Sequence, residues 1–314
     1  MQNKWSDAEA SEYVSRYAGQ GVNEDLALRV YTSRLLGREP DLVLHGGGNT
    51  SVKTEAPDIM GEPTQVLCVK GSGWDMGDIE PAGLPAVRLE PLRKLIALDA
   101  LSDEDMVNAQ RTNLLDAAAP NPSVETLLHA FLPHKFVDHT HSNAMLALSD
   151  QPNGDEICRE LFGDRVAYVP YKMPGFALAK SGRECFDAAI AGGQNEVEGM
   201  VLLKHGLFSF GSTAKEAYDR MIDLVTLAEE RIESLRTKTI TQVIKPPAMA
   251  SVADVAPILR GLVAEPVSAE NGVFKRMVLE FRADERILTY VNGSEVNRYS
   301  QQGTATPDHV IRIK

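Results

Sequence analysis

The 314-residue sequence is 43% hydrophobic and 24% charged, ordinary proportions for a folded chain long enough for one large or two modest domains. Lysine and arginine number 32 against 44 aspartates and glutamates, a net charge of −12 that argues against nucleic acid or an anionic membrane as partner. The three cysteines are far apart with no CxxC, no apolar run approaches the ~20 residues that cross a bilayer, and Met1 to Ala10 lacks a secretory pattern, so the expectation is a cytoplasmic protein.

Residues 6 to 36 carry helical spacing and stop at Gly37-Arg38-Glu39-Pro40. Leu42-Val43-Leu44 reads as a short strand running into His45-Gly46-Gly47-Gly48-Asn49-Thr50-Ser51, where three glycines let backbone amides crowd around a ligand. A second strand, Gln65 to Lys70, ends in Gly71-Ser72-Gly73, and two such loops predict one shared anion site. Residues 86 to 99 and 123 to 132 read as helices, the second with Ser123 as N-cap, Glu125 in its first turn and Pro133 at its end.

Phe136 to His141 has strand character. Residues i and i+2 of a strand share a face about 6.6 Å apart, so His139 and His141 can converge on one ion. Met200 to His205 is an apolar strand that breaks at Gly206, and Thr213 to Leu235 is a long amphipathic helix. Lys245-Pro246-Pro247 marks a linker, and beyond it Gly272 to Arg282 and Arg286 to Tyr299 read as strands around an Asn292-Gly293 turn. The interspersed signals predict a mixed α and β fold, with a main domain over 1–247 and an accessory module over 248–314.

Singly, these features have bland explanations. A lone strand histidine is usually packed or hydrogen-bonded, a glutamate in a first helical turn usually answers the helix dipole, and Asn-Thr-Ser after glycines is usually turn chemistry. Together, two histidines on one strand face, a third at Lys204-His205-Gly206 and a nearby carboxylate predict a catalytic metal centre. His45, His129, His134 and His309 read as structural, although His129 lies one turn after Glu125 and is placed to orient it.

Five motifs, Gly47-Gly48-Asn49-Thr50-Ser51, Lys70-Gly71-Ser72-Gly73-Trp74, Pro122-Ser123-Val124-Glu125, His139-Thr140-His141 and Leu203-Lys204-His205-Gly206-Leu207, lie in an order that resembles the class II aldolase/adducin family. Within it the sequence is most similar to the aldolase portion of bifunctional rhamnulose-1-phosphate aldolase/lactaldehyde dehydrogenase proteins. The resemblance implies an α/β/α sandwich around a largely antiparallel sheet, here followed by a small β-rich C-terminal extension, and assembly as a homotetramer. It also implies that His139, His141 and His205 hold Zn2+, or another divalent transition metal, and that Glu125 is the catalytic acid/base. Gly48, Asn49, Ser72, Gly73 and Ser123 would bind the phosphate of a small phosphorylated sugar, with Lys53 and Lys70 nearby. Relatives use a tyrosine as a second acid/base, and Tyr171 is ranked ahead of Tyr168.

The implied reaction is cleavage of a deoxyketose 1-phosphate, rhamnulose 1-phosphate in particular, to dihydroxyacetone phosphate and lactaldehyde. Val124 stands where simpler family members have a second serine, which removes one phosphate-contacting hydroxyl. These residues contain no GxGxxG, so dehydrogenase activity is not expected of them, and a separate dehydrogenase is a conceivable partner. An epimerase or dehydratase using the same metal site, and a non-catalytic adducin-like interaction module, stay open as alternatives.

Overall fold

The computed structural model describes residues 1–193, 196–235, 250–268 and 271–311. By contacts the chain divides into two units, Met1–Leu235 with Thr304–Lys314, and Arg236–Gly303. The first is built on seven strands: β1 (Asn49–Pro57), β2 (Pro63–Val69), β3 (Ala86–Arg88), β4 (Phe136–Thr140), β5 (Val166–Val169), β6 (Gly199–Leu202) and β7 (Gly206–Gly211). Their order is β3-β2-β1-β4-β7-β6-β5, antiparallel except for the parallel pair β5 and β6.

Both faces of this sheet are covered, which is why the central strands are buried along their length. On one face Leu67, Val69, Val137, Met200, Phe208 and Phe210 pack against helices Leu89–Lys94, Thr126–Phe131 and Phe176–Ala191. On the other, Val52, Val66, Val201 and Leu207 meet helices Asp7–Ala18, Glu24–Gly37, Asn143–Ser149 and Ala214–Leu235. The result is the expected α/β/α sandwich around a mostly antiparallel sheet. No helix among the described residues is long and apolar enough to cross a membrane.

Several local expectations are corrected. The helical run over 6–36 is two helices, because Gly21 takes φ 75° between them and Asn23 caps the second by accepting from the Leu26 amide. Leu42–Leu44 is not a strand: the Leu42 and Val43 amides both donate to Glu39 O, forming a turn that seats those two side chains in the core. The first strand begins instead at Asn49, inside the segment read as a loop. Residues 86–99 open with β3 before the short helix, since Val87 pairs with Leu67 at the sheet edge.

The helix after Pro122 starts later than expected. Glu125 is its N-cap, while Ser123 makes the preceding turn by accepting from Thr126 N at its carbonyl and from Glu125 N at its hydroxyl. Gly206 is not the end of the β6 segment alone but the first residue of a returning strand, β7, that its sequence does not announce.

In the second unit, strands Glu265–Ser268 and Val273–Lys275 pair as a small antiparallel sheet. Glu285–Val291 and Val296–Tyr299 are helical, not extended: Asp284 caps the first by accepting from the Ile287 amide, which outweighs the β-favouring Ile, Thr, Tyr and Val side chains. The predicted linker at Lys245-Pro246-Pro247 lies outside the described residues.

Candidate metal centre and its cleft

The middle of the sheet positions the site. Asn49 on β1, His139 on β4 and Phe208 on β7 are directly paired in register and share one face. The His139 ring stacks on Phe208 at 4.2 Å between centroids, which fixes its plane. His141 follows two residues later, just beyond the strand end, and His205 sits in the tight connection between β6 and β7. Gly206 is obligatory there: a Cβ would lie 2.4 Å from Thr140 O, 2.9 Å from His139 Cε1 and 3.1 Å from His141 Cδ2.

Ring by ring, the hydrogen bonds set the tautomers. His139 Nδ1 donates to Leu207 O at 3.1 Å, which leaves Nε2 of that ring with a bare lone pair, and His141 Nδ1 donates to Asp308 Oδ1. The Nε2 atoms of the two rings face each other at 3.0 Å. Glu125 Oε2 lies 3.3 Å from His139 Nε2 and its Oε1 lies 3.2 Å from His205 Nε2. Although near His205, Oε1 has no aligned hydrogen-bond donor and is buried, as is His205 Nδ1.

Burial lowers the pKa of His139 well below that of a free imidazole, and the neighbouring His141 and His205 reinforce the effect. Burial also lowers that of His205, against the pull of Glu125. The bare Nε2 of His139, aimed at a second imidazole and at a carboxylate, is suited to a cation placed among them. Ligand atoms of the three histidines all fall within 4.8 Å of one another, and tetrahedral coordination with metal–nitrogen bonds of about 2.0–2.1 Å needs such convergence. The donor set therefore fits a divalent metal ion.

Glu125 is held by a buried relay. Asn49 Nδ2 donates to Glu125 Oε2 at 2.6 Å and to Ser123 Oγ at 3.1 Å, while Asn49 Oδ1 accepts from His129 Nε2. His129 Nδ1 in turn pairs with Ser51 Oγ at 2.7 Å. Burial drives His129 far below the usual imidazole pKa, so it takes part as a neutral ring that donates at one nitrogen and accepts at the other. His129 thus acts on Glu125 through Asn49.

A cleft of about 350 Å³ opens over this cluster. Glu125, His141 and His205 line its floor, with His139 fully buried beside them. Gly48, Asn49, Ser72, Gly73 and Ser123 line its walls together with Lys70, Val124, Pro174 and Pro307. The two glycine loops meet at one cleft.

Their backbone is already committed at several points, however. The amides of Gly47, Ser72 and Ser123 donate to Leu44 O, Asn121 O and Lys70 O, and Lys70 Nζ donates to Gly46 O at 2.8 Å. Anion recognition would rest on side chains such as the exposed Ser72 and on lysine charge more than on those amides. Lys53 is not on the cleft lining; its Nζ donates to His134 O at 2.7 Å inside the protein. Tyr171 is 54% exposed, outside the lining, with its hydroxyl 3.1 Å from Met173 Sδ, and Tyr168 hydrogen-bonds to Cys158 O and Gly163 O.

Sequence reasoning missed Asp308. It is 1% exposed against His141 and stands 167 positions after it, with no motif around it to signal a role.

Residues 27–232 match the family model described as Class II Aldolase and Adducin N-terminal domain, and residues 250–314 match Aldolase class II, second domain. A curated relative from Bacillus subtilis (strain 168), Uncharacterized oxidoreductase YuxG, is 34% identical over 292 residues covering 91% of this chain. The chain spans only 40% of the length of that relative. Among solved structures, the N-terminal class II aldolase domain of a conserved protein from Thermoplasma acidophilum is similar at a TM-score of 0.64 and 39% identity, covering 74% of this chain and 99% of that one. The L-fuculose-1-phosphate aldolase from Thermus thermophilus aligns at a TM-score of 0.43 and 19% identity, over 67% of this chain and 93% of that one. With family models matched in sequence over both regions, the chain belongs to the class II aldolase and adducin family.

Proposed function

We propose that this protein is a zinc-dependent aldolase that cleaves a deoxyketose 1-phosphate, rhamnulose 1-phosphate, to dihydroxyacetone phosphate and lactaldehyde. The observation that carries this reading is the convergence of three imidazoles and the Glu125 carboxylate at the floor of a cleft walled by Ser72, Ser123 and Lys70. A divalent ion held by His139, His141 and His205 would supply Lewis-acid polarisation of the substrate carbonyl.

The protein's own groups would do the rest. Asn49 fixes Glu125 Oε2, which leaves Oε1, buried without a hydrogen-bond donor, as the oxygen that moves the proton at the carbon becoming the hydroxymethyl of dihydroxyacetone phosphate. Gly48, Asn49, Ser72, Gly73 and Ser123 form the phosphate end of the cleft, with Asn49 acting chiefly through Glu125. Tyr171, three positions before Pro174 of the cleft lining, takes the proton from the hydroxyl whose carbon leaves as aldehyde. The enzyme works as a cytoplasmic homotetramer, with its aldehyde product passed to a separate dehydrogenase.

The test is a coupled assay for dihydroxyacetone phosphate release from rhamnulose 1-phosphate, run on zinc-loaded wild type beside Glu125→Gln, His141→Ala and Tyr171→Phe. Wild type should release product, and Glu125→Gln should lower kcat by about 10²–10⁴-fold. No release from metal-loaded wild type would remove rhamnulose 1-phosphate as substrate. Conversion of a sugar phosphate without carbon–carbon cleavage would replace the aldolase with an epimerase or dehydratase.

A further inference from the structure

Asp308 is a carboxylate buried to 1% exposure in the segment Thr304–Ile311, part of the same compact unit as the cleft. Oδ1 accepts from His141 Nδ1, and Oδ2 accepts from the Leu44 amide at 2.6 Å. The glycine loop is shaped around it: a Cβ at Gly47 would fall 1.8 Å from Asp308 Oδ1 and 2.2 Å from its Cγ. Buried Thr306 lies two residues earlier, with Oγ1 2.6 Å from His309 Nδ1, and Pro307 forms part of the cleft lining.

A carboxylate taken out of water needs compensation, and here it meets one imidazole N–H and one backbone amide. That arrangement gains most when the far nitrogen of the imidazole faces a cation, because the carboxylate then fixes the ring tautomer and raises its donor strength. Part of the loop that sequence assigned to a ligand's anion thus receives the chain's own anion.

We infer that Asp308 is a positioning residue for the metal centre, and that the metal site is complete only when the segment 304–311 has delivered this carboxylate to His141. The inference rests on the metal-dependent reading of the site. It gives the segment 304–311 a task in the chemistry: this segment must be packed in the catalytic unit for His141 to be held in its ligating tautomer.

The test is Co2+ binding by the full chain, followed by cobalt d–d absorption and by chelator competition, for wild type, Asp308→Asn, Gly47→Ala and His141→Ala. Far-UV circular dichroism and urea midpoints of the metal-free proteins verify folding. Asp308→Asn keeps the shape but loses the charge, and should weaken Co2+ about 10–100-fold while leaving a folded protein. Gly47→Ala expels the carboxylate without touching any ligand, so it should weaken Co2+ similarly. Folded Asp308→Asn and Gly47→Ala proteins with wild-type Co2+ affinity, beside a His141→Ala protein that has lost it, would overturn this inference alone. Equal Co2+ binding by wild type and His141→Ala, or none by wild type, would overturn it together with the metal-dependent reading.

Discussion

Lys53 carries an amine into the body of the protein, and its effect on stability can be measured. It lies on β1, 8% exposed, with Nζ donating to His134 O at 2.7 Å. Burial, reinforced by the positive charge of Arg93, lowers its pKa from 10.5 to about 7. The unfolded chain therefore holds a proton between pH 7 and 10.5 that the folded chain has released, so stability rises with pH through that window, by up to about 1.4 kcal/mol per unit.

Histidines do not confuse this range. Burial lowers the pKa values of His129, His134, His139 and His205, so their contributions also rise with pH but are nearly complete once the unfolded imidazoles have lost their protons. Cys68, Tyr17 and Tyr31, each raised to about 12 chiefly by burial, act with the opposite sign above about pH 9, where the unfolded chain releases protons the folded chain keeps. Between about pH 7.5 and 9, Lys53 should add about 2 kcal/mol, and Lys53→Met should abolish that increment. Urea unfolding of both proteins at the two pH values, in the same metal buffer, measures it. A wild-type minus Lys53→Met difference that is the same at both would refute the reasoning.

Arg29 and Asp138 are both 0% exposed with Nη2 2.5 Å from Oδ1, so Arg29→Met should cost about 3–5 kcal/mol by stranding the carboxylate; a double change to Arg29→Met with Asp138→Leu should recover most of it, read by urea denaturation. Gly206→Ala must separate β4 from β7 or push the His139 and His141 rings apart, and should destabilise by about 1–3 kcal/mol and weaken Co2+ binding, both seen in one titration series. Asn49→Ala frees Glu125 Oε2 and should lower kcat for the aldol cleavage by about 10²-fold while shifting the Co2+ affinity little; an unchanged kcat would remove Asn49 from the relay.

The parts of this protein governed by short-range pattern were legible in its sequence. The His139-Thr140-His141 spacing predicts two imidazoles on one side, and although strand Phe136–Thr140 ends one residue before His141, the two rings do lie side by side. Helix Ala214–Leu235 was readable from its apolar stripe to within a residue. What failed was decided by pairing at a distance. β7 is a strand because it hydrogen-bonds β4 on one side and β6 on the other, while its opening glycine resembles a terminator until the neighbouring histidine rings are seen. Asp308 had no local signature at all, since its role depends on a residue 167 positions away. Asn49 was visible as a polar residue after glycines, but whether its amide faces a ligand or Glu125 is fixed by the register that sets β1 against β4.

The backbone itself marks where function was built. Among the described residues, two non-glycine residues have positive φ, His45 at 54° and Lys204 at 59°. Such conformations cost of order 1 kcal/mol or more and persist where the surroundings enforce them. Lys204 directly precedes His205 and turns the chain from β6 into β7, so the strain places that ring against Glu125. His45 follows Leu44, whose amide meets Asp308, and precedes the glycines that leave room for that carboxylate. Two distortions, from segments far apart in the chain, thus serve the two flanks of one imidazole cluster, and the same cluster contains the orphaned Glu125 Oε1 and His205 Nδ1. A fold optimised for stability alone would satisfy those atoms and relax those dihedrals. That both positive-φ residues flank one cleft is the pattern expected where local rules give way to a binding site, and the converging imidazoles and carboxylate there suit a cation.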